Sequence, residues 1–230
     1  MESIIDLDKS IFFFFNGMHT PFWDVVMALF TRTESWFLLF AVMLYYIVRR
    51  YRMKSVIILV ILALTILISD QFSVFVKETV QRFRPTHDPT IQHLVHNILS
   101  RGGLYGYFSS HAANTFAVAC FTSFIFKDRK YSFLIFFWAA LVSYTRIYLG
   151  VHFPFDVLTG VIFGTALGYG MYRLLVFIDN RFFVLGLPKF SDTHLRDKDF
   201  RIVLIIFLSF VITTLIVANR LQHFNWLQVQ

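Results

Sequence analysis

SVIILVILALTILISDQFSVFV, residues 55–76, runs for 22 residues with one ionisable side chain, Asp70. A helix needs about 20 mostly apolar residues to cross the hydrocarbon of a bilayer, and this stretch has them. Four more runs come close to that length or reach it: 109–126, 131–148, 154–178 and 202–218. A sixth, 36–48, is shorter and takes in Thr33 to Ser35 to complete the crossing. None alternates with the period of two that marks a membrane barrel strand. The expected fold is therefore all-α: a polytopic membrane helix bundle of six transmembrane helices.

Composition agrees. Of 230 residues, 57% are hydrophobic, 19% aromatic and only 15% charged, against about 45–50% apolar and 25% charged in a soluble domain. The single cysteine, Cys120, excludes an internal disulfide and a four-cysteine zinc site. A net charge of +7 raises the question of nucleic acid. In so apolar a chain, however, basic residues mark the cytoplasmic ends of membrane helices, so no nucleic-acid partner is expected.

Residues 1–32 read differently. Glu2, Asp6 and Asp8 precede an apolar core at 11–15 that is too short for a secretory signal. Phe22, Trp23, Val25, Val26 and Leu29 fall largely on one helical face, as in an interfacial helix lying among lipid headgroups; a poorly ordered lead-in is the alternative. The organisation expected is an N-terminal interfacial segment at 1–32, one membrane domain at 33–220 and a tail at 221–230.

Six crossings put both ends of the chain on one side. The other side then holds the connections 49–54, 127–130 and 173–201, with 13 of the 21 basic residues. The positive-inside rule makes that side cytoplasmic, and the polar stretch 187–199 reads as a solvated loop there. The opposite helix ends face outward, or into the periplasm of an inner membrane.

Three groups of reactive side chains lie on that outer side. Lys77 and Arg84, seven apart, would share a face on a continuing helix, about 10 Å apart along its axis. Pro85 disfavours helical geometry at Arg84. Two such cations suit a phosphate, Arg as a two-point fork and Lys as a point charge; a basic cap snorkelling to the interface is the plainer reading. Ser109, Ser110 and His111 open the third run, where hydroxyls cap the helix and its free N–H groups attract anions. His111 adds a proton donor, although serine capping alone would account for the pair of hydroxyls. In the third group, 145–156, Asp156 follows His152 by four residues. It is near enough to hydrogen-bond one imidazole nitrogen and leave the other as a nucleophile, or simply to tie down the turn. Lys77, Arg84, Ser109, Ser110, Arg146, His111, His152 and Asp156 thus gather, from three distant segments, into a phosphate pocket with a nucleophile and a proton donor.

At these residues the sequence resembles the type 2 phosphatidic acid phosphatases and their vanadium haloperoxidase relatives. The family's first motif, Lys, six residues, Arg-Pro, is matched by Lys77 to Pro85. Its second, Pro-Ser-Gly-His, stands here as Phe108-Ser109-Ser110-His111. Its third, Ser-Arg, five residues, His, three residues, Asp, stands here as Thr145-Arg146, His152 and Asp156. The resemblance covers roughly residues 55–178.

The resemblance implies a membrane lipid phosphatase that needs neither metal nor cofactor. Lys77, Arg84, Arg146 and Ser109, with helix-end N–H groups, would bind the phosphoryl oxygens. His152, oriented by Asp156, would form a phosphohistidine, and His111 would protonate the leaving oxygen and then activate water. The expected substrate is a phosphorylated or diphosphorylated membrane lipid: undecaprenyl diphosphate, phosphatidylglycerol phosphate, phosphatidic acid or a lipid A phosphate. The connection 86–108, with His87, Arg101, Gly102, Gly103 and Gly106, is either a lid that shapes headgroup selectivity or an ordinary surface loop. Two other functions are weighed: a phosphotransferase passing the phosphoryl group to a second lipid, and a channel or transporter. The latter would spread its charges through the membrane depth, whereas these gather at one end. Asp70, mid-helix, either orients the pocket through water or is protonated or bonded to a neighbouring helix. His93 and His96 have the spacing of metal ligands without a third partner.

Overall fold

The computed structural model describes residues 2–182 and 195–222. Residues 187–194 of the expected polar loop and the tail from 223 lie outside that range. Among the described residues the chain is all-helical: α1 (Glu2–Asn16), α2 (Pro21–Phe30), α3 (Phe37–Tyr51), α4 (Ser55–Val80), α5 (Ser110–Phe126), α6 (Arg129–Tyr148), α7 (Pro154–Phe182) and α8 (Asp197–Leu221). Among the described residues, three stretches are long and apolar enough to cross a membrane: Thr33–Val80, which contains both α3 and α4, Pro154–Phe182 and Asp197–Leu221.

The helices α5 and α6 fall outside that set by length and composition: α5 has 17 residues, and α6 carries Arg129, Lys130 and Arg146. Most of α5 faces protein rather than lipid: Ala112, Ala113, Ala117, Ala119, Phe121 and Thr122 are fully buried. A helix enclosed by its neighbours can be built from small residues instead of lipid-facing ones. Its seam with α7 is glycine at every fourth position. A Cβ at Gly160, Gly164 or Gly168 would come within 2.6, 2.2 and 2.5 Å of the carbonyl oxygens of Ser109, Ala113 and Ala117. Only glycine allows so close an approach of two backbones, the arrangement that packs membrane helices without a hydrophobic driving force.

The N-terminal segment forms two helices. Thr20 caps α2 by accepting from the Trp23 N–H at 3.3 Å, and Pro21 opens the helix. Both helices dock into the bundle. Asp8, Phe12 and Asn16 of α1 and Val25, Val26 and Ala28 of α2 are each at most 1% exposed. Around Trp36, whose indole N–H donates to the Phe30 carbonyl at 2.9 Å, Phe207, Phe210 and Trp138 complete an aromatic cluster. At the far end Lys54 and Asp179 form a buried ion pair at 2.6 Å, clamping the α3–α4 turn to α7.

Candidate active site

Helix α4 stops at Val80, where Gln81 turns left-handed with φ 52° and its N–H bonds the Lys77 carbonyl at 2.9 Å. Lys77 and Arg84 therefore do not share a continuing helix, as their spacing had predicted. Arg84 instead lies on extended backbone, with φ −68° and ψ 156°. A short pairing with the segment before α5 holds it there: Arg84 N–H donates to the Leu104 carbonyl at 3.1 Å and Gly106 N–H to the Arg82 carbonyl at 2.8 Å. The 86–108 connection thus returns over the site. A Cβ at Gly102, where φ is +72°, would meet the Arg84 guanidinium at 3.2 Å. At Gly106 it would meet Arg84 at 3.1 Å and the Asp156 carboxylate at 3.2 Å.

Ser109 is the N-cap of α5, its Oγ accepting from Ala112 N–H at 3.5 Å, while its own N–H donates to the Asp156 carbonyl at 3.0 Å. Ser110, which replaces the glycine of the motif, takes ordinary helical geometry, and its hydroxyl is used. It accepts from the Lys77 ammonium and sits 2.6 Å from Ser73 Oγ. Ser73 itself is fully buried one turn below Lys77. His111 follows Ser110 in the first turn of α5. All three sequence segments therefore meet at one end of the bundle.

His152 is 2% exposed in the turn before α7. Arg84 Nη1 lies 3.1 Å from its Nε2 and also donates to the Val151 carbonyl at 3.1 Å. A guanidinium can only donate, so Nε2 accepts and the ring proton sits on Nδ1. Nδ1 faces Asp156 Oδ2 at 3.6 Å, longer than the direct hydrogen bond expected from the spacing. The reason is that Asp156 is engaged elsewhere. Its Oδ2 accepts from the Phe153 N–H at 3.0 Å, and its Oδ1 accepts from Arg82 Nη1 at 2.7 Å. Burial first, then the cations Arg84, Arg146 and Lys77, hold the His152 pKa well below the ordinary histidine value. The imidazole is neutral, with its Nε2 lone pair turned toward the cations.

Arg146 Nη1 donates to Thr31 Oγ1 at 2.6 Å. The Nε atoms of Arg84 and Arg146 are buried without a hydrogen-bond partner among the described residues. None of the ion pairs among those residues involves Lys77, Arg84 or Arg146. Three cations facing a neutral imidazole with no carboxylate of their own make an anion site.

Sequence reasoning missed three participants. Ser73 had a signal, being four residues before Lys77 on the same helical face. Arg82 stood inside the first motif but was passed over for Arg84-Pro85. Asp8, which binds Arg82 Nη2 at 2.6 Å, gave none. His96 turns away from the site, its Nε2 lying 2.9 Å from Asp24 Oδ1.

Comparisons with known proteins agree with the geometry. The PAP2 superfamily profile matches residues 56–179. A lipid A 4'-phosphatase of Bacteroides thetaiotaomicron is 39% identical over 176 residues, covering 75% of this chain and 78% of that protein. One of Porphyromonas gingivalis is 30% identical over 226 residues, covering 97% and 96%. The crystal structure of Aquifex aeolicus LpxE superposes with a TM-score of 0.59 at 25% identity, covering 73% of this chain and 95% of that one.

Proposed function

The chain belongs to the PAP2 superfamily and is a membrane phosphatase, and on that premise we propose that it removes a phosphate from lipid A or a related lipid phosphate through a phosphohistidine. The single observation that carries the mechanism is the buried Arg84 at 3.1 Å from His152 Nε2, with the charges of Arg146 and Lys77 acting on the same imidazole and no ion pair to any of the three cations among the described residues. Such preorganised charges stabilise the oxygens of a phosphoryl group in flight, which needs positioning and electrostatics more than covalent help.

In the first step the Nε2 lone pair forms the N–P bond as the P–O bond to the lipid breaks, and His111 gives its proton to the departing oxygen. In the second, water forms a P–O bond, the N–P bond breaks, and the water proton passes to His111. Asp156 steadies the charge that develops on the imidazole. Lys77, Arg84, Arg146, Ser109 and the α5 N–H groups hold the phosphoryl oxygens, and no metal ion takes part.

Six crossings by α3 to α8 would put this pocket on the outer or periplasmic face, with the basic turns inside, where an amphiphile enters from the leaflet. Among the lipid phosphates considered, lipid A comes first because two relatives that cover most of the chain bear that activity in their names.

Phosphate release by purified protein in detergent, from lipid A 1- and 4'-phosphates, undecaprenyl diphosphate, phosphatidylglycerol phosphate and phosphatidic acid, tests the reading. Lipid A should be the best substrate, chelators should leave the rate unchanged, and His152→Ala should lose turnover by at least about 10³-fold. Full activity in that variant would reject His152 as nucleophile, and a preference for another lipid would reject the substrate.

A further inference from the structure

We propose that Asp8 of α1 is a positioning residue for phosphoryl transfer, acting through Arg82 and Asp156 on His152; this rests on the reading of His152 as the nucleophile. Asp8 lies outside all three motifs, yet it is 1% exposed, and both of its oxygens are committed at the site. Its Oδ2 accepts from Arg82 Nη2 at 2.6 Å, and its Oδ1 accepts from the Phe155 N–H at 3.0 Å. Arg82 spends its other nitrogen, Nη1, on Asp156 Oδ1 at 2.7 Å and lies over the Phe153 ring, 4.4 Å from its centroid. One guanidinium therefore bridges two buried carboxylates, one on α1 and one on α7.

Two consequences follow. The first is geometric. Phe153 and Phe155 present N–H groups that the start of α7 leaves unsatisfied, and a carboxylate of the chain takes each: Asp156 the first and Asp8 the second. Asp8 thus fixes the turn that carries His152 directly, and again through Arg82. The second is electrostatic. When Nε2 bonds phosphorus the imidazole becomes cationic, and Asp156 Oδ2, 3.6 Å from Nδ1, is the nearest negative charge. Arg82 alone would largely cancel that carboxylate. Asp8 draws part of the Arg82 charge to itself and leaves Asp156 free to answer the imidazolium. Because neither Asp8 nor Arg82 belongs to the cation set around the phosphoryl group, their loss should slow the chemistry without weakening substrate binding.

The test uses full-length protein in detergent, with phosphate release from the lipid that it turns over best. Asp8→Asn keeps an oxygen for the Phe155 N–H and removes both the charge and the acceptor that faces Arg82 Nη2. It should lower kcat about 10- to 100-fold, the scale of a small misplacement at a reacting centre, with KM within about twofold. Asp8→Glu should recover part of the loss. Asp8→Asn combined with Arg82→Gln should cost no more than Arg82→Gln alone, as expected of two members of one chain, and Asp6→Asn, exposed on the same helix, should change nothing. Wild-type kcat in Asp8→Asn, fully additive losses, or a loss that tracks only the fraction of folded protein on size exclusion would overturn the inference. If instead His152→Ala keeps its turnover, the parent reading fails, whatever Asp8 does.

Discussion

Lys54 and Arg84 are both buried cations, 5% and 9% exposed, at opposite ends of the bundle, and the chain treats them in opposite ways. Lys54 has a carboxylate of its own, Asp179 at 2.6 Å. Arg84 has a carbonyl and an imidazole nitrogen, and its Nε has nothing. Taking an ion out of water costs several kcal/mol unless a counter-charge is supplied. The far end supplies it from within, which is what a structural clamp requires. The site end leaves it to whatever binds, so part of the fold's stability is held back for the substrate.

That contrast yields the largest expected effect. Arg84→Met keeps the bulk and removes the uncompensated charge. It should cut kcat/KM about 10²- to 10³-fold, as expected for losing a preorganised charge contact, while the melting temperature in detergent stays level or rises. Lys54→Met should do the reverse, because it strands Asp179. Breaking one partner of a buried pair costs about 3–5 kcal/mol, read as a lower melting temperature, while kcat of the protein that remains folded stays at the wild-type level. A destabilised Arg84→Met or a catalytically impaired Lys54→Met would erase the distinction between the two ends.

The two ends also differed in how far the sequence disclosed them. The helix at 55–76 and the run at 154–178 were legible because apolar length is a property of one contiguous segment; both are present, as α4 and α7. Likewise spacing within short segments singled out Lys77, Arg84, Arg146, His111 and His152 as candidates. What spacing could not reveal were contacts across the fold. The geometry of Arg84 depends on Leu104, twenty residues later and on another strand of chain. The His152–Asp156 pair was read as a direct bond because i, i+4 spacing permits one; Arg82 and the Phe153 N–H compete for the same carboxylate and hold it off. Asp8 reaches the site only because α1 docks there.

A smaller effect appears with pH. Burial and then the neighbouring cations, Arg84 foremost, hold His152 neutral well below its ordinary range. The acid limb of kcat/KM, which reports the free enzyme, should therefore lie below about 6.5, the ordinary histidine value. The sign for stability follows the same way. The folded-state pKa is depressed, so the unfolded chain takes the proton first, and stability is full above about 6.5 and declines as pH falls below it. In Arg84→Met the nearest cation is gone, and the limb of the residual activity should move up toward that value. A limb that stays put would take Arg84 out of the account and leave the low pKa to burial and the remaining cations, Arg146 and Lys77.

The smallest effect concerns Ser110, the site's departure from the family glycine. Its hydroxyl accepts from the Lys77 ammonium and contacts Ser73, so it gives the cation a neutral partner where the far end would use a carboxylate. A hydroxyl orients the ammonium without cancelling its charge, which leaves Lys77 available to a phosphoryl oxygen. Ser110→Ala removes that orientation together with the Ser73 contact, and the lost hydrogen bond to the charged group costs about 1.5–3 kcal/mol at most and less because Ser73 Oγ remains 3.3 Å from Nζ. KM should rise a few-fold with kcat nearly unchanged. Ser110→Asp should behave differently in kind. It converts Lys77 into a second Lys54, paired from within, and substrate affinity should fall further than in Ser110→Ala while the melting temperature rises. Equal KM values in the two variants would mean that the ammonium is not held in reserve for phosphate, and that Lys77 belongs with the structural cations of the far end.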